Sequence, residues 1–196
     1  MTLLVLGLVL FLGTHSFSMA RGQRAAIIGR IGEGPFKGLY SLLSLAGIVL
    51  VSIGYGQYRA GGYIPVWDPP VWTRHLSLLL VLIAFICFVA AYLPGHIKAR
   101  LKHPMLAGVK IWAFAHLIAN GDLGSILLFG SFLVWAVLAR ISAKRRDVAA
   151  QHGGTAAPAG WRNDILAVAI GTAVYLAFVF WLHPWLIGVS VLPTRA

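Results

Sequence analysis

The stretch Trp72–Leu93, WTRHLSLLLVLIAFICFVAAYL, decides the fold, because no charged side chain follows Arg74 within it and no Pro or Gly interrupts it. A helix needs roughly 20 apolar residues to cross about 30 Å of hydrocarbon. This window meets that requirement, with Tyr63 and Trp67 ahead of it and Trp72 at its start as aromatic anchors at the membrane surface. Five further windows read the same way: Thr2 to Ala20, Gly38 to Gly56, Pro104 to Ala119, Ser125 to Ile141 and Ile165 to Val191. The expectation is an all-α, polytopic transmembrane helical bundle of about six spans in one domain, residues 1–196. The fourth window is the weakest, being short and carrying Lys110 and His116.

Composition agrees with this reading. The 196 residues are 59% hydrophobic and only 11% charged, too few charges to cover a water-soluble surface of this size. Sixteen Lys and Arg stand against five Asp and Glu, a formal charge of +11 that at first sight suggests nucleic acid. The distribution of those charges assigns them to topology instead, since cytoplasmic loops carry the Lys and Arg excess. With the N-terminus outside, the inside loops hold Arg21, Arg24, Arg30 and Lys37, then Lys98, Arg100 and Lys102, then Arg140, Lys144, Arg145, Arg146 and Arg162: twelve of the sixteen. The reading is therefore N-out and C-out, in contact with lipid and not nucleic acid, in a multi-pass cytoplasmic membrane protein. The first window lacks the positive residues that open an export signal, so it is expected to be a retained helix. Residues 147–160, with Gly153, Gly154 and Pro158, read as a flexible inside linker.

One cysteine, Cys87, excludes a disulfide framework or thiolate cluster within the chain. No H-E-x-x-H, phosphate-binding glycine loop or close carboxylate pair occurs. Ionisable groups inside the membrane remain, and each is a functional candidate by default because its insertion is costly. His15 lies near the inner end of the first span and His103 opens the fourth at the same depth, so the two are expected to face one another. His116, about 20 Å further along, is expected on the outer side near His183. Two imidazoles facing across a bundle suit the axial ligation of haem. Without a C-x-x-C-H motif, such a haem is b-type and non-covalent. Arg21, Arg24, Arg100 and Lys102, at the inner ends of the helices carrying His15 and His103, are candidates to pair with its propionates. Lys110 shares a helix face with His103, and His116 shares one with Asn120. Asp122 is read as a turn cap or a chemical group, and His75, His96 and His152 as interfacial or solvated.

The run His103-Pro104-Met105-Leu106-Ala107-Gly108, continuing to Trp112, Ala115, His116 and Asn120-Gly121-Asp122, resembles the NnrU family of bacterial membrane proteins. The same block is similar to the plant and cyanobacterial 15-cis-zeta-carotene isomerases, which share that domain. His15-Ser16 with Arg21, Gly32-Glu33 with Phe36, and His183-Pro184 with Gly188 extend the likeness over nearly the whole chain. In the isomerase branch the resemblance implies haem b with two axial histidines, which fall here on His15 and His103. In the NnrU branch it implies a link to nitrite and nitric oxide metabolism. Nitric oxide and an apolar polyene are accordingly the small-molecule partners it suggests, with a haem-dependent cis-trans isomerase and a non-catalytic accessory factor as alternative roles.

Overall fold

The computed structural model describes residues 1–149 and 160–191. His152, Gly153, Gly154 and Pro158 lie outside the described residues, as does most of the linker expected over 147–160. The chain forms α1 (Thr2–Phe17), α2 (Arg21–Ile31), α3 (Glu33–Ala60), α4 (Val71–Ala90), α5 (His96–Leu101), α6 (Pro104–Ala119), α7 (Leu123–Ala149), α8 (Trp161–Ala177) and α9 (His183–Ile187), the last two joined by a π-helical turn, Phe178–Leu182. No strand occurs among the described residues, so the all-α expectation holds.

All six apolar windows are helical, yet among the described residues four helical rods are long and apolar enough to cross a membrane alone: Glu33–Ala60, Val71–Ala90, Leu123–Ala149 and Trp161–Ile187. A fifth is reached only if α1 and α2 count together, and an 88° bend separates them. The sequence window for the first span ran to Ala20, but the chain breaks at Ser18 and turns α2 aside. Its sixteen residues make α1 about 24 Å long. The sixth, α6, has the same length; Pro104 opens it and extended backbone at Asn120 closes it. In the opposite direction, α7 continues eight residues past the window ending at Ile141, into the basic sequence SAKRRDVA.

Packing follows membrane rules, in which lipid is as apolar as the core and helices adhere by close backbone approach. Glycines of α1 and α3 make this possible. A Cβ on Gly7 would stand 2.5 Å from the Val51 nitrogen, and one on Gly47 would stand 2.8 Å from Phe11. Around that crossing Leu4, Leu8 and Val51 meet Leu128 and Phe129 of α7 in the buried core, with Trp112, Leu117 and Phe132 against it. Leu42, Leu45, Val134 and Ile165 point outward, as expected for helices solvated by acyl chains.

Each end of the bundle is closed by loop contacts. At one end the α3–α4 loop lies on the α6–α7 turn: Val66 N–H and Trp67 N–H both donate to the Gly121 carbonyl (2.7 and 3.0 Å), and Leu123 N–H donates to Ile64 (2.9 Å). At the other, the Asp164 carboxylate accepts from His96 N–H (3.0 Å), Ile97 N–H (2.9 Å) and His96 Nδ1 (2.7 Å), which ties the start of α8 to α5. That second end carries the Lys and Arg clusters of the sequence and is called the basic end below.

Candidate functional site

His15 falls in the last turn of α1, where a helical side chain can return to the carbonyl four residues back. Its Nδ1 lies 2.8 Å from the Phe11 carbonyl. A carbonyl only accepts, so Nδ1 carries the proton and Nε2 keeps its lone pair. Phe11 stacks on the imidazole at 4.1 Å, Tyr40 of α3 is 5.4 Å away, and Trp135 of α7 meets it edge-on at 5.9 Å. Trp135 Nε1 and Ser44 Oγ are buried without a hydrogen-bond partner among the described residues, and so is Arg140 Nη1. An unpaired buried donor is costly, and of these three Trp135 is the one in contact with His15.

His116 repeats the arrangement on α6. Its Nδ1 donates to the Trp112 carbonyl at 2.8 Å, which leaves Nε2 free, and its ring stacks on Phe129 at 4.5 Å. A chain of ring contacts joins the two histidines: His15 to Phe11, Phe11 to Phe132 at 5.6 Å, Phe132 to Trp112 at 5.5 Å, and Trp112 to His116 at 5.1 Å. The two imidazoles therefore lie at the ends of one run of packed aromatic rings between α1, α6 and α7. Their contacts on α7, Phe129 and Trp135, are offset by about 9 Å along the helix.

His103 is placed differently. It is the N-cap residue of α6, and its Nε2 lies 2.9 Å from Asp147 Oδ2. The carboxylate accepts, so this nitrogen carries a proton and has no lone pair to offer a metal. Nine residues before Trp112, His103 lies half a turn off the α6 face that joins the run of aromatic rings. Measured on α7, its partner Asp147 is twelve residues beyond Trp135, the partner of His15, which is about 18 Å. The structure thus does not bring His15 and His103 together.

The remaining sequence candidates separate in the same way. Arg21 and Arg24 line a cleft beyond Tyr40 at the basic end, together with Arg146 of α7. Arg100 and Lys102 are exposed, on α5 and at its C-cap, away from that cleft. Lys110 makes no hydrogen bond or ion pair among the described residues, and it lies nearly opposite Trp112 on the helix. Asn120 Nδ2 donates to the His116 carbonyl at 2.8 Å. Asp122 caps α7, accepting from Ser125 N–H (2.9 Å) and Ser125 Oγ (2.6 Å), while Tyr55 hydroxyl adds to Ser125 at 2.7 Å. His183, after the π-helical turn, donates from Nδ1 to the Val189 carbonyl at 2.8 Å and is within electrostatic reach of His116. His75 and His96 are exposed, as interfacial residues are.

Sequence reasoning passed over Phe11, Trp135 and Phe132. The i to i+4 spacing of Phe11 and His15, and of Trp112 and His116, was available as a signal: each histidine stacks on or beside an aromatic ring one turn earlier.

The donor set suits one class of metal group. Among the described residues no three His, Cys, Asp or Glu side chains gather to hold an ion, so a bare metal would lack ligands. A porphyrin supplies four in-plane nitrogens of its own and asks the protein for two axial bases and a greasy, flat-walled chamber. Imidazoles whose Nδ1–H is held by a carbonyl are the form that ligates through Nε2. His15 and His116 each present that form, whereas His103, with Nε2–H held by Asp147, presents Nδ1 instead.

A family model described as NnrU protein matches residues 3–191. No curated protein and no solved structure matches the chain significantly.

Proposed function

The chain belongs to the NnrU family, and on that premise we propose that it is an integral membrane protein holding a b-type haem between His15 and His116, in the service of nitrite and nitric oxide metabolism. The observation carrying this reading is the matched pair of free Nε2 atoms, each with its Nδ1–H fixed to a carbonyl one turn earlier. Haem would supply reversible one-electron chemistry there, and a diatomic ligand would bind by displacing one of the two histidines. The chain's own residues supply the rest. Phe11 and Trp112 carbonyls hold the ring tautomers and raise the basicity of Nε2. Phe129, Phe132 and Trp112 supply apolar ring surface beside the imidazoles. Trp135 Nε1, on the residue that meets His15 edge-on, offers an unpaired donor that a propionate would accept from. Nitrite and nitric oxide enter through the family likeness, and so does the bacterial cytoplasmic membrane, with the basic end on the cytoplasmic side.

The test is the haem content of protein purified in mild detergent from cells supplied with haem precursor. Stoichiometric pyridine haemochrome of b type, together with a shift of the Soret band under nitric oxide, is the expected result. Protein that stays colourless after reconstitution with hemin would overturn the proposal and leave an accessory role for the bundle.

A further inference from the structure

Two concavities meet on the outside of the bundle at the basic end. One, of about 580 Å³, is lined by Ser18, Arg21, Arg24, Tyr40, Ser41 and Arg146 among others. The other, of about 450 Å³, lies between the α1–α2 elbow and the last turns of α7, with Met19, Leu138, Ile141 and Ala149 as its apolar wall and Arg145 beside them. Arg21 and Arg146 belong to both, so the two are continuous. The result is a polar seat that runs into a greasy groove, the shape of an amphiphile.

Charge and position identify that amphiphile. No carboxylate lines either concavity. Arg21 and Arg24 make no ion pair among the described residues; Arg24 lies over the Phe36 ring at 5.4 Å, and Arg146 is steadied by Ser142 Oγ at 2.6 Å. Lys37, also on the rim, is already paired with Glu33 at 2.9 Å. The 88° elbow lays α2 across the end of the bundle, with Ile27 and Ile31 exposed beside its arginines. A helix end carrying clustered arginines and turned across the bundle in this way is placed to meet the charged headgroup layer. Guanidinium groups between helices on the cytoplasmic side are the recognised seat of anionic lipid headgroups. An acidic peptide would use the arginines but leave the Leu138 and Ile141 wall unfilled.

We propose that this elbow binds an anionic phospholipid of the adjoining leaflet, its phosphate on Arg21, Arg24 and Arg146 and an acyl chain along Leu138 and Ile141. Such a lipid brings together α1, α2 and α7 at the end where α1 stops short, and it is separated from His15 by Tyr40. The inference goes beyond the haem reading and does not depend on it.

The experiment is native mass spectrometry of the full chain in detergent, titrated with phosphatidylglycerol or phosphatidylcholine of the same acyl chains. Wild type is expected to retain phosphatidylglycerol selectively. Arg21→Gln/Arg146→Gln is expected to bind it roughly thirtyfold more weakly, while Arg100→Gln/Arg162→Gln, which removes equal charge elsewhere, binds as wild type does. His15→Ala protein, without haem, is expected to keep the lipid, so failure of the haem proposal and failure of this one read out separately. Equal retention of the two lipids by wild type would overturn the site, without reliance on any variant. An equal loss in both double variants would reduce it to diffuse charge attraction and overturn it as well.

Discussion

His103 Nε2 and Asp147 Oδ2, 44 residues apart in sequence, lie 2.9 Å from each other and fasten the start of α6 to the last turns of α7. Both side chains are about one-third exposed (29% and 35%), so solvent screens the pair. His103→Ala is expected to cost no more than about 1 kcal/mol of stability, and to leave haem retention unchanged. Thermal unfolding in detergent, followed beside the Soret band, checks both halves. A colourless His103→Ala protein that remains folded would return His103 to the iron.

The α1–α3 crossing depends on absent side chains. Gly7→Leu and Gly47→Leu put carbon where Val51 and Phe11 backbones stand, and overpacking of this kind costs roughly 1–3 kcal/mol or more. Gly13→Ala meets nothing within 4 Å and serves as the control. The expected outcome is aggregation or early unfolding of the first two variants on size exclusion, with the third indistinguishable from wild type.

Asp164 accepts two backbone N–H groups and the His96 ring, so its removal strands donors at the start of α5. Asp164→Ala is expected to lose about 1–3 kcal/mol. Gly95→Ala should behave alike, because its new Cβ would run into the Asp164 carboxylate. Proteolysis near residue 95, measured on purified protein, reads the loosening directly.

Lys110, with no partner among the described residues, is expected to be a burden on insertion rather than a member of the site. Lys110→Met removes about 2.5–3.5 kcal/mol of insertion cost if the residue lies at mid-membrane, which should raise the membrane-integrated fraction. The same variant should keep the wild-type haem spectrum; a changed spectrum would tie Lys110 to the site.

Much of this molecule was legible in its sequence, for identifiable reasons. Apolar run length, as in Leu76–Ala91, is set by bilayer thickness, and so the apolar helices were found, whereas α2 and α5 were read as loops. The 88° break after Phe17 and the shortness of α6 were harder, because they are fixed by local backbone at Ser18 and Asn120 rather than by hydropathy. His15 and His116 were both singled out, yet depth alone paired His15 with His103. Which nitrogen of an imidazole is free depends on a carboxylate 44 residues away in one case and on a carbonyl one turn earlier in the others. Only the second kind of contact follows from local spacing. The meeting of Arg146 with Arg21 was equally out of reach, since it requires the elbow of α1 and α2 to fold against the far end of α7.

The central claim is the axial pair, and the most direct measurement is the oxidised and dithionite-reduced absorption spectrum of wild type beside His15→Ala, His116→Ala and His103→Ala. Sharp reduced α and β bands in wild type and His103→Ala, lost in both His15→Ala and His116→Ala, are the predicted result. Bands that survive in His116→Ala and vanish in His103→Ala would contradict it and show that His103 leaves Asp147 to reach the iron.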